Sequence, residues 1–156
     1  MFVLYLIGYA NEVGEAFRSM INVNFVRLSY GIAIGYVISD AWYKGLQAAE
    51  KYAHEDSVKK KVTWSVCDTL IWQGLASVAI PGFTINRICF FTGVFLKKAS
   101  KLPGSTRKWT TTIVGLSCIP LIIKPIDRSV DFFMENTFRK YFEPKLEKVV
   151  HHDRND

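Results

Sequence analysis

The sequence VTWSVCDTLIWQGLASVAI, residues 62–80, decides the class of fold. It carries one charged residue, Asp68. About 20 predominantly apolar residues are needed for a helix to cross the hydrocarbon layer of a bilayer, so this stretch predicts a membrane-spanning helix. A charge two turns inside such a helix is costly when it faces lipid. We therefore expect Asp68 to face a cation or hydroxyl group of another helix, with Arg27 or Arg87 as its partner.

Three further stretches have a similar apolar character, namely residues 23–43, 83–98 and 109–126. Pro81 and Gly82 predict the end of the helix at residues 62–80, because proline lacks a backbone N–H and glycine permits a turn. Residues 83–98 are short for a full crossing. The pattern favours four crossings, with three as the alternative.

Less apolar segments lie on either side of these stretches. Residues 5–21 and 127–142 have apolar side chains at helical spacing and predict amphipathic helices. Residues 5–21 are too polar to cross a bilayer, so we expect them to lie on the membrane or to pack against the bundle. A polar tail follows at residues 143–156. The whole chain of 156 residues therefore predicts a single membrane domain, a small all-α bundle with amphipathic helices at both ends.

The net charge of +6 comes largely from basic clusters beside the apolar stretches. Such clusters suit anionic lipid headgroups, and a tryptophan at the start of a span suits the membrane interface. The chain shows no nucleic-acid-binding module, so we expect no nucleic-acid partner. The residues expected at headgroups or at the interface are Lys59, Lys60, Lys61, Lys97, Lys98, Arg107, Lys108, Trp109 and Arg128.

Polar and small residues inside the apolar stretches predict contacts between helices. Gly31 and Gly35 form a GxxxG motif, which lets another helix approach closely, although such pairs also occur without a contact. Arg27, Asp40, Asp68 and Arg87 are expected to form polar pairs inside the membrane. A transporter would use such residues as substrate or proton sites, but few spans and no visible internal repeat favour structural pairing.

The sequence carries no motif typical of catalysis. A Ser-His-Asp set, a phosphate-binding glycine loop and metal-ligand spacings are all missing, and the three cysteines follow no pattern. The prediction is therefore a protein that is not an enzyme, with no catalytic, cofactor-binding or metal-binding residues and no cofactor.

Four runs of residues resemble the mitochondrial fission process protein 1 family, also called the mitochondrial 18 kDa protein family. They are YANEVGEAFR at 9–18, LASVAIPGFTINR at 75–87, RKWTTT at 107–112 and PIDRSVDF at 125–132. The resemblance extends from about residue 8 to residue 141, and it leaves out the two ends. It implies a multi-pass protein of the inner mitochondrial membrane, linked to fission and to the integrity of that membrane. It supplies no catalytic residues.

With four crossings, the loops at 44–61 and 97–108 share one side, and each holds five Lys or Arg residues. The positive-inside rule then places both loops in the matrix and both termini in the intermembrane space. We expect inner-membrane proteins as partners, respiratory-chain or carrier complexes among them, together with anionic lipid such as bound cardiolipin, and a homo-oligomer is a further option. Alternative functions are an accessory subunit of a larger inner-membrane complex and, less favoured, a small transporter or channel.

Overall fold

The computed structural model describes residues 8–54, 57–99 and 102–141. Within these ranges every regular element is a helix, which confirms the all-α class. Two segments, π1 and π2, have the wider π-helical hydrogen-bond pattern. The elements in chain order are α1 (Ala10–Ala16), α2 (Val23–Lys51), α3 (Val58–Gln73), π1 (Gly74–Ala79), α4 (Ile80–Ala99), α5 (Gly104–Met134) and π2 (Glu135–Arg139).

The segments α3, π1 and α4 form one continuous helix of 42 residues, Val58–Ala99. The prediction that Pro81 and Gly82 end a helix is wrong, because both lie buried inside α4. A proline normally leaves a carbonyl oxygen one turn earlier without its donor. Here the helix widens into π1 just before the proline, and a side chain from α1 supplies the missing donor, as described below.

The last helix is also longer than predicted. The segments α5 and π2 run without a break over 36 residues, Gly104–Arg139, so Asp127 does not begin a separate helix. Pro120 and Pro125 both lie inside α5. Each removes one backbone hydrogen bond, and long apolar helices tolerate that loss where the surrounding bonds continue. The amphipathic helix expected at 127–142 is thus the end of α5 with π2, and the tail at 143–156 lies outside the described residues.

Two of these helices, Val58–Ala99 and Gly104–Arg139, are long and apolar enough to cross a membrane. One continuous helix now stands where two crossings were expected, so the four-crossing bundle is not confirmed. The described residues that flank this helix, 52–54 before it and 102–103 after it, lie at its two opposite ends. The helix α2 packs along α3 and adds 29 residues to the bundle.

The short helix α1 lies inside the bundle, where it packs against α2, α4 and α5. Its polar side chains are buried instead of facing water. Of the two positions expected for the N-terminal segment, the structure therefore shows packing against the bundle. Small residues permit this: a Cβ added at Gly14 would collide with Ser29, and one at Gly115 would lie 2.6 Å from Cys89 Sγ and 3.2 Å from Ala16 Cβ.

Many of the largest apolar side chains lie on the outside of the helices. Leu121 is 72% exposed and Phe95 is 68% exposed. In contrast, the buried side chains of α1 include the polar Asn11, Glu12 and Glu15. Two small apolar clusters complete the interior. One contains Ala76, Ile126, Val130 and Met134, and the other contains Ala16, Ile85 and Ile119.

Candidate functional site

Polar residues of the interior meet where α1 crosses π1. Because Pro81 has no backbone N–H, the carbonyl of Ser77 lacks its α-helical donor. The buried Asn11 Nδ2 lies 3.3 Å from the Ser77 carbonyl oxygen and 3.2 Å from that of Val78, and donates to both. Asn11 thereby satisfies acceptors that the proline and the π-helical turn expose, and it fixes α1 to the middle of the long helix.

Glu15 joins three elements of the bundle. Arg18 donates to its carboxylate through Nε and Nη2, each at 2.6 Å. The Tyr30 hydroxyl of α2 donates at 3.0 Å, and Asn86 Nδ2 of α4 donates at 2.9 Å. Burial alone would raise the pKa of Glu15, but these hydrogen bonds outweigh it and lower the pKa. Glu15 is therefore an ionised carboxylate whose hydrogen bonds hold α1, α2 and α4 together.

Glu12 has the opposite environment. Its side chain is 0% exposed, and neither carboxylate oxygen has a hydrogen-bond partner among the described residues. Burial raises the pKa of this carboxyl to about 7, and the favourable interaction with its own backbone N–H opposes this rise only in part. Because α1 is too short to cross a bilayer, this acid is carried into the bundle by a helix that does not itself span it.

A cavity of about 270 Å³ lies beside Glu12. The residues just before α1, helices α2 and α3, segment π1 and helix α5 supply the rest of its wall, which contains polar groups and aromatic rings. The polar and aromatic side chains of that wall are Tyr9, Tyr36, Trp72, Gln73, Ser77 and Asp127.

Asp68 forms a bidentate ion pair between the two long helices. Arg139 of π2 donates to it through Nε at 2.9 Å and Nη2 at 3.0 Å. Arg139 Nη1 also lies 3.7 Å from Asp131 Oδ1, which accepts a hydrogen bond of 2.8 Å from Trp72 Nε1. A cation on another helix does face Asp68, as predicted.

The identity of that cation was predicted wrongly, because neither Arg27 nor Arg87 contacts Asp68. Arg27 is exposed on α2. Arg87 donates to Asn86 Oδ1 at 3.0 Å, and its guanidinium group lies over the rings of Phe83 and Phe90. The unbroken helix through residue 139 is what brings Arg139 alongside α3, and the expected break at Asp127 concealed this contact.

Asp40 pairs within α2 and with the long helix. Lys44 Nζ lies 3.0 Å from Asp40 Oδ2, and the same oxygen accepts a hydrogen bond from Gln73 Nε2. The two aspartates thus form separate polar contacts. Asp40 contacts Gln73 of α3, and Asp68 contacts Arg139 of π2. Whether either contact lies inside a membrane stays a prediction.

Gly31 and Gly35 are exposed, and a Cβ added at either position would meet nothing within 4 Å. No helix of the described chain packs against this motif. The close helix contacts instead use Gly14, Gly82 and Gly115, which lie next to side chains of neighbouring helices.

The basic residues expected at lipid headgroups lie at the ends of the long helices. Lys97 and Lys98 are exposed at the end of α4, and Lys108 and Trp109 are exposed in the first turns of α5, where Arg107 is half-buried. Lys59 and Lys60 are exposed at the start of α3, whereas Lys61 Nζ lies 4.3 Å from the ring centroid of Tyr52. Arg128 is exposed in the second half of α5.

Sequence reasoning missed Asn11, Glu12 and Glu15, which it placed on the polar side of an amphipathic helix. Two signals were available. A proline in a long apolar stretch needs a donor from elsewhere if the helix continues, and small residues at positions 10, 14 and 16 permit close packing of α1. Both signals point to a helix inserted among others.

The family model of the mitochondrial 18 kDa protein matches residues 3–134. The chain is 54% identical to the human protein named mitochondrial fission process protein 1, over 90% of this chain and 84% of the human one. It is 51% identical to the Caenorhabditis elegans protein of that name, over 92% and 87% of the two chains. For the Danio rerio protein of that name, the identity is 50% over 87% and 82%. No solved structure is significantly similar.

Proposed function

Because the chain belongs to the mitochondrial 18 kDa protein family, we propose that it is a non-enzymatic protein of the inner mitochondrial membrane that promotes or regulates mitochondrial fission and supports the integrity of that membrane. The observation that carries this proposal is an identity of 50–54%, over most of the chain, to proteins named for the fission process. The arrangement of the helices gives a physical reason to propose a membrane location for the protein.

The membrane location is supported by the distribution of apolar surface. Two helices are long and apolar enough to cross a bilayer, and large side chains such as Phe83, Phe91 and Phe95 on α4 are more than half exposed. Many large apolar side chains exposed on one helix are unfavourable in water and are typical of contact with lipid or protein. Apolar side chains that face the acyl chains of lipid avoid the free-energy cost of exposure to water.

Loss and re-expression of the protein test the fission role. Cells that lack it are expected to have elongated, more connected mitochondria, and the wild-type chain should restore their length and remain in the membrane after alkaline carbonate extraction. Arg139→Gln, which breaks the pair with Asp68, should restore length poorly. Lys124→Gln removes an exposed cation of the same long helix and is the matched control. Unchanged mitochondrial length after loss would contradict the proposal.

Lipid binding is the second part of the proposed mechanism, with cardiolipin as the preferred anionic lipid. An apolar groove of about 350 Å³ between α2 and α3 is lined by Ile38, Trp42, Leu46, Val62, Val66 and Leu70. The exposed Lys59 and Lys60 lie one turn from Val62 on the same helix. An acyl chain fits the groove chemically, while the lysines suit a phosphate headgroup.

Reconstitution in liposomes tests the lipid preference. Cardiolipin should stabilise the protein thermally more than neutral phosphatidylcholine does, and the difference should shrink in high salt, because salt screens exposed charges. Replacing both Lys59 and Lys60 by Gln should reduce the cardiolipin effect, whereas replacing the exposed Lys44 by Gln on α2 is the control. Equal stability in both lipids at low salt would contradict this part.

A second candidate function, an accessory subunit of a larger inner-membrane complex, is favoured by the exposed Gly31 and Gly35. They lie on α2 among exposed apolar side chains such as Leu28 and Ile32, a surface suited to a helix from another protein or from a second copy. Purification in mild detergent separates the two functions. A stoichiometric respiratory or carrier complex would favour the subunit, whereas a homo-oligomer or weakly bound mixed partners would favour the membrane organiser.

A small transporter or channel is the third, least favoured function. The purified protein in liposomes should conduct no ions. Ion flux that is lost in Asp68→Asn would overturn both preceding functions.

A further inference from the structure

The cavity beside Glu12 has a chemistry that the proposed fission role does not explain. Glu12 is fully buried, lines the cavity and has no hydrogen-bond partner for either carboxylate oxygen in the described part of the chain. An isolated buried carboxylate is among the costliest groups to place in a protein interior. Most such groups are paired, so this one indicates that a ligand completes the site.

Residues that line this cavity carry buried acceptor atoms without a donor in the described part of the chain. Besides the two oxygens of Glu12, Gln73 Oε1 is buried and has no partner among the described residues. Its amide nitrogen is already committed to Asp40, which leaves Oε1 as the free atom. Asp127 adds a second carboxylate, and the described residues of the wall include no lysine or arginine. A complementary ligand therefore carries positive charge and N–H donors.

A metal ion fits this site poorly. Within the described ranges, no group of three or more His, Cys, Asp or Glu side chains could hold one. The aromatic rings of Tyr36 and Trp72 also line the cavity, and such rings attract organic cations through their π faces. A water molecule occupies about 30 Å³ of liquid, so a cavity of about 270 Å³ has space for a cation with an organic substituent.

We propose that this cavity binds a primary ammonium group, with Glu12 as its counter-ion, Gln73 Oε1 as a neutral acceptor and the rings of Tyr36 and Trp72 around its organic substituent. A primary ammonium has three N–H donors, which matches the two oxygens of Glu12 and the one of Gln73. The group has two sources of the same chemistry, namely a small free amine and the ethanolamine headgroup of a phospholipid.

Binding of ethylammonium to the purified full-length protein in phosphatidylcholine nanodiscs tests this proposal. The buffer is sodium cacodylate, because amine buffers would compete and phosphate would precipitate calcium. Trp72 serves as the fluorescent reporter after Trp42, Trp64 and Trp109 are replaced by Phe. Saturable quenching or enhancement is expected with ethylammonium, at concentrations at least tenfold below those needed for tetramethylammonium, potassium or calcium. Tetramethylammonium has the same charge but no N–H donor, so equal binding of the two would overturn the proposal.

Two variants connect the binding to the site. Glu12→Gln keeps the size of the side chain, removes its charge, and should weaken ethylammonium binding at least tenfold. Glu50→Gln removes an exposed carboxylate of α2 and should bind like the wild type. Unaltered binding in Glu12→Gln would overturn the proposal. If Glu12→Gln does not fold, the comparison of the four cations on the wild-type protein tests the proposal instead. Absence of saturable ethylammonium binding to the wild-type protein would also overturn the proposal.

Nanodiscs of a second composition distinguish the two sources. If the ammonium comes from a lipid headgroup, nanodiscs rich in phosphatidylethanolamine should weaken the apparent binding of free ethylammonium by competition. If it comes from a free amine, the two compositions should give the same affinity. The fission role is tested by mitochondrial length, so failure of the ammonium site and failure of the fission role are separate results.

Discussion

Glu12 and Glu15 lie three residues apart on the same short helix, yet their surroundings have opposite effects. Glu15 receives hydrogen bonds from Arg18, Tyr30 and Asn86, and its pKa is lowered. Glu12 receives none from the described residues, and burial raises its pKa to about 7. Sequence spacing set both away from the apolar face of this segment and could not separate them, because two of the three donors to Glu15, Tyr30 and Asn86, lie 15 and 71 positions away.

The pH dependence of stability should reveal Glu12. In the unfolded chain Glu12 has its ordinary pKa of 4.5, and in the folded protein its pKa is raised to about 7. Between these values the folded protein holds a proton that the unfolded chain has released, so stability should fall as pH rises from about 4.5 to about 7, then level off. The full loss corresponds to about 3 kcal/mol. Thermal unfolding in amine-free detergent buffer, from pH 4 to 8, measures it.

Glu12→Gln should remove most of this slope, because glutamine does not titrate. The variant should therefore match the wild type near pH 4 and be more stable than it at pH 8. Glu50→Gln, at an exposed position, should keep the wild-type slope. A wild-type protein whose stability does not fall over this range would show that Glu12 is not an uncompensated buried acid.

The pair between Asp68 and Arg139 should behave as a unit. Each side chain is about three-quarters buried, with 23% and 26% exposure. Replacing Asp68 by Asn leaves Arg139 facing a weaker, neutral acceptor. Because a hydrogen bond to a charged group contributes about 1.5–3 kcal/mol to stability, the free energy of unfolding should fall by about that amount. Removing both charges should cost less than the two single changes added together. Thermal or denaturant unfolding in detergent of the two single variants and the double variant measures the coupling.

Additive losses from Asp68→Asn and Arg139→Gln would mean that the two side chains do not interact. The control is a double variant that changes Asp68 and Arg27, since Arg27 is exposed and does not contact Asp68. Arg27→Gln should therefore be additive with Asp68→Asn, because sites that share no partner do not couple.

At the scale of the helices, the sequence predicted where apolar segments lie better than where helices end. Residues 62–80 and 83–98 are both helical, as expected, but they belong to one helix. Local rules treat Pro81 and Gly82 as a helix end. That rule fails here because Asn11, 66 positions away from Ser77, supplies a donor that local sequence does not contain.

The interplay of Asn11 and Pro81 is testable by a double-mutant cycle. Asn11→Ala should destabilise the wild type by about 1–3 kcal/mol, because buried carbonyl oxygens then lack a donor. In Pro81→Ala the backbone regains an N–H that can donate within the helix, so the same Asn11→Ala change should cost less. The free energies of unfolding of the four proteins, measured in one detergent, give the coupling.

A matched control for that cycle is Pro120→Ala, since Pro120 lies in α5, away from the Asn11 hydrogen bonds. Asn11→Ala should cost the same in the Pro120→Ala background as in the wild type. Equal costs of Asn11→Ala in all three backgrounds would show that Asn11 does not compensate for the proline of α4.

At the scale of the whole molecule, charge counting predicted an arrangement of loops that the structure does not confirm. The segments 44–61 and 97–108 hold five Lys or Arg residues each, and the positive-inside rule therefore favoured placing them together. In the structure, one 42-residue helix separates them. Since both ends are equally basic by this count, the rule gives no preferred orientation for the continuous helix. Composition thus predicted an apolar helical bundle, while the continuity of the helix through Pro81 depends on a contact made by α1.

Cysteine accessibility tests this arrangement directly. A helix of 42 residues is about 63 Å long at 1.5 Å per residue, roughly twice the thickness of the hydrocarbon layer, so its ends should lie on opposite sides of the membrane. In a background with Cys67, Cys89 and Cys118 replaced by Ala, His54→Cys and Ser105→Cys should react with a membrane-impermeant maleimide from opposite sides of the inner membrane.

The controls for this experiment are neighbouring positions at each end of the helix. Lys59→Cys should label from the same side as His54→Cys, and Lys98→Cys from the same side as Ser105→Cys, because each pair lies at one end of the Val58–Ala99 helix. If His54→Cys and Ser105→Cys were labelled from the same side, the helix would have to reverse near Pro81. The four-crossing bundle would then replace the continuous helix, and the hydrogen bonds of Asn11 to Ser77 and Val78 would need another explanation.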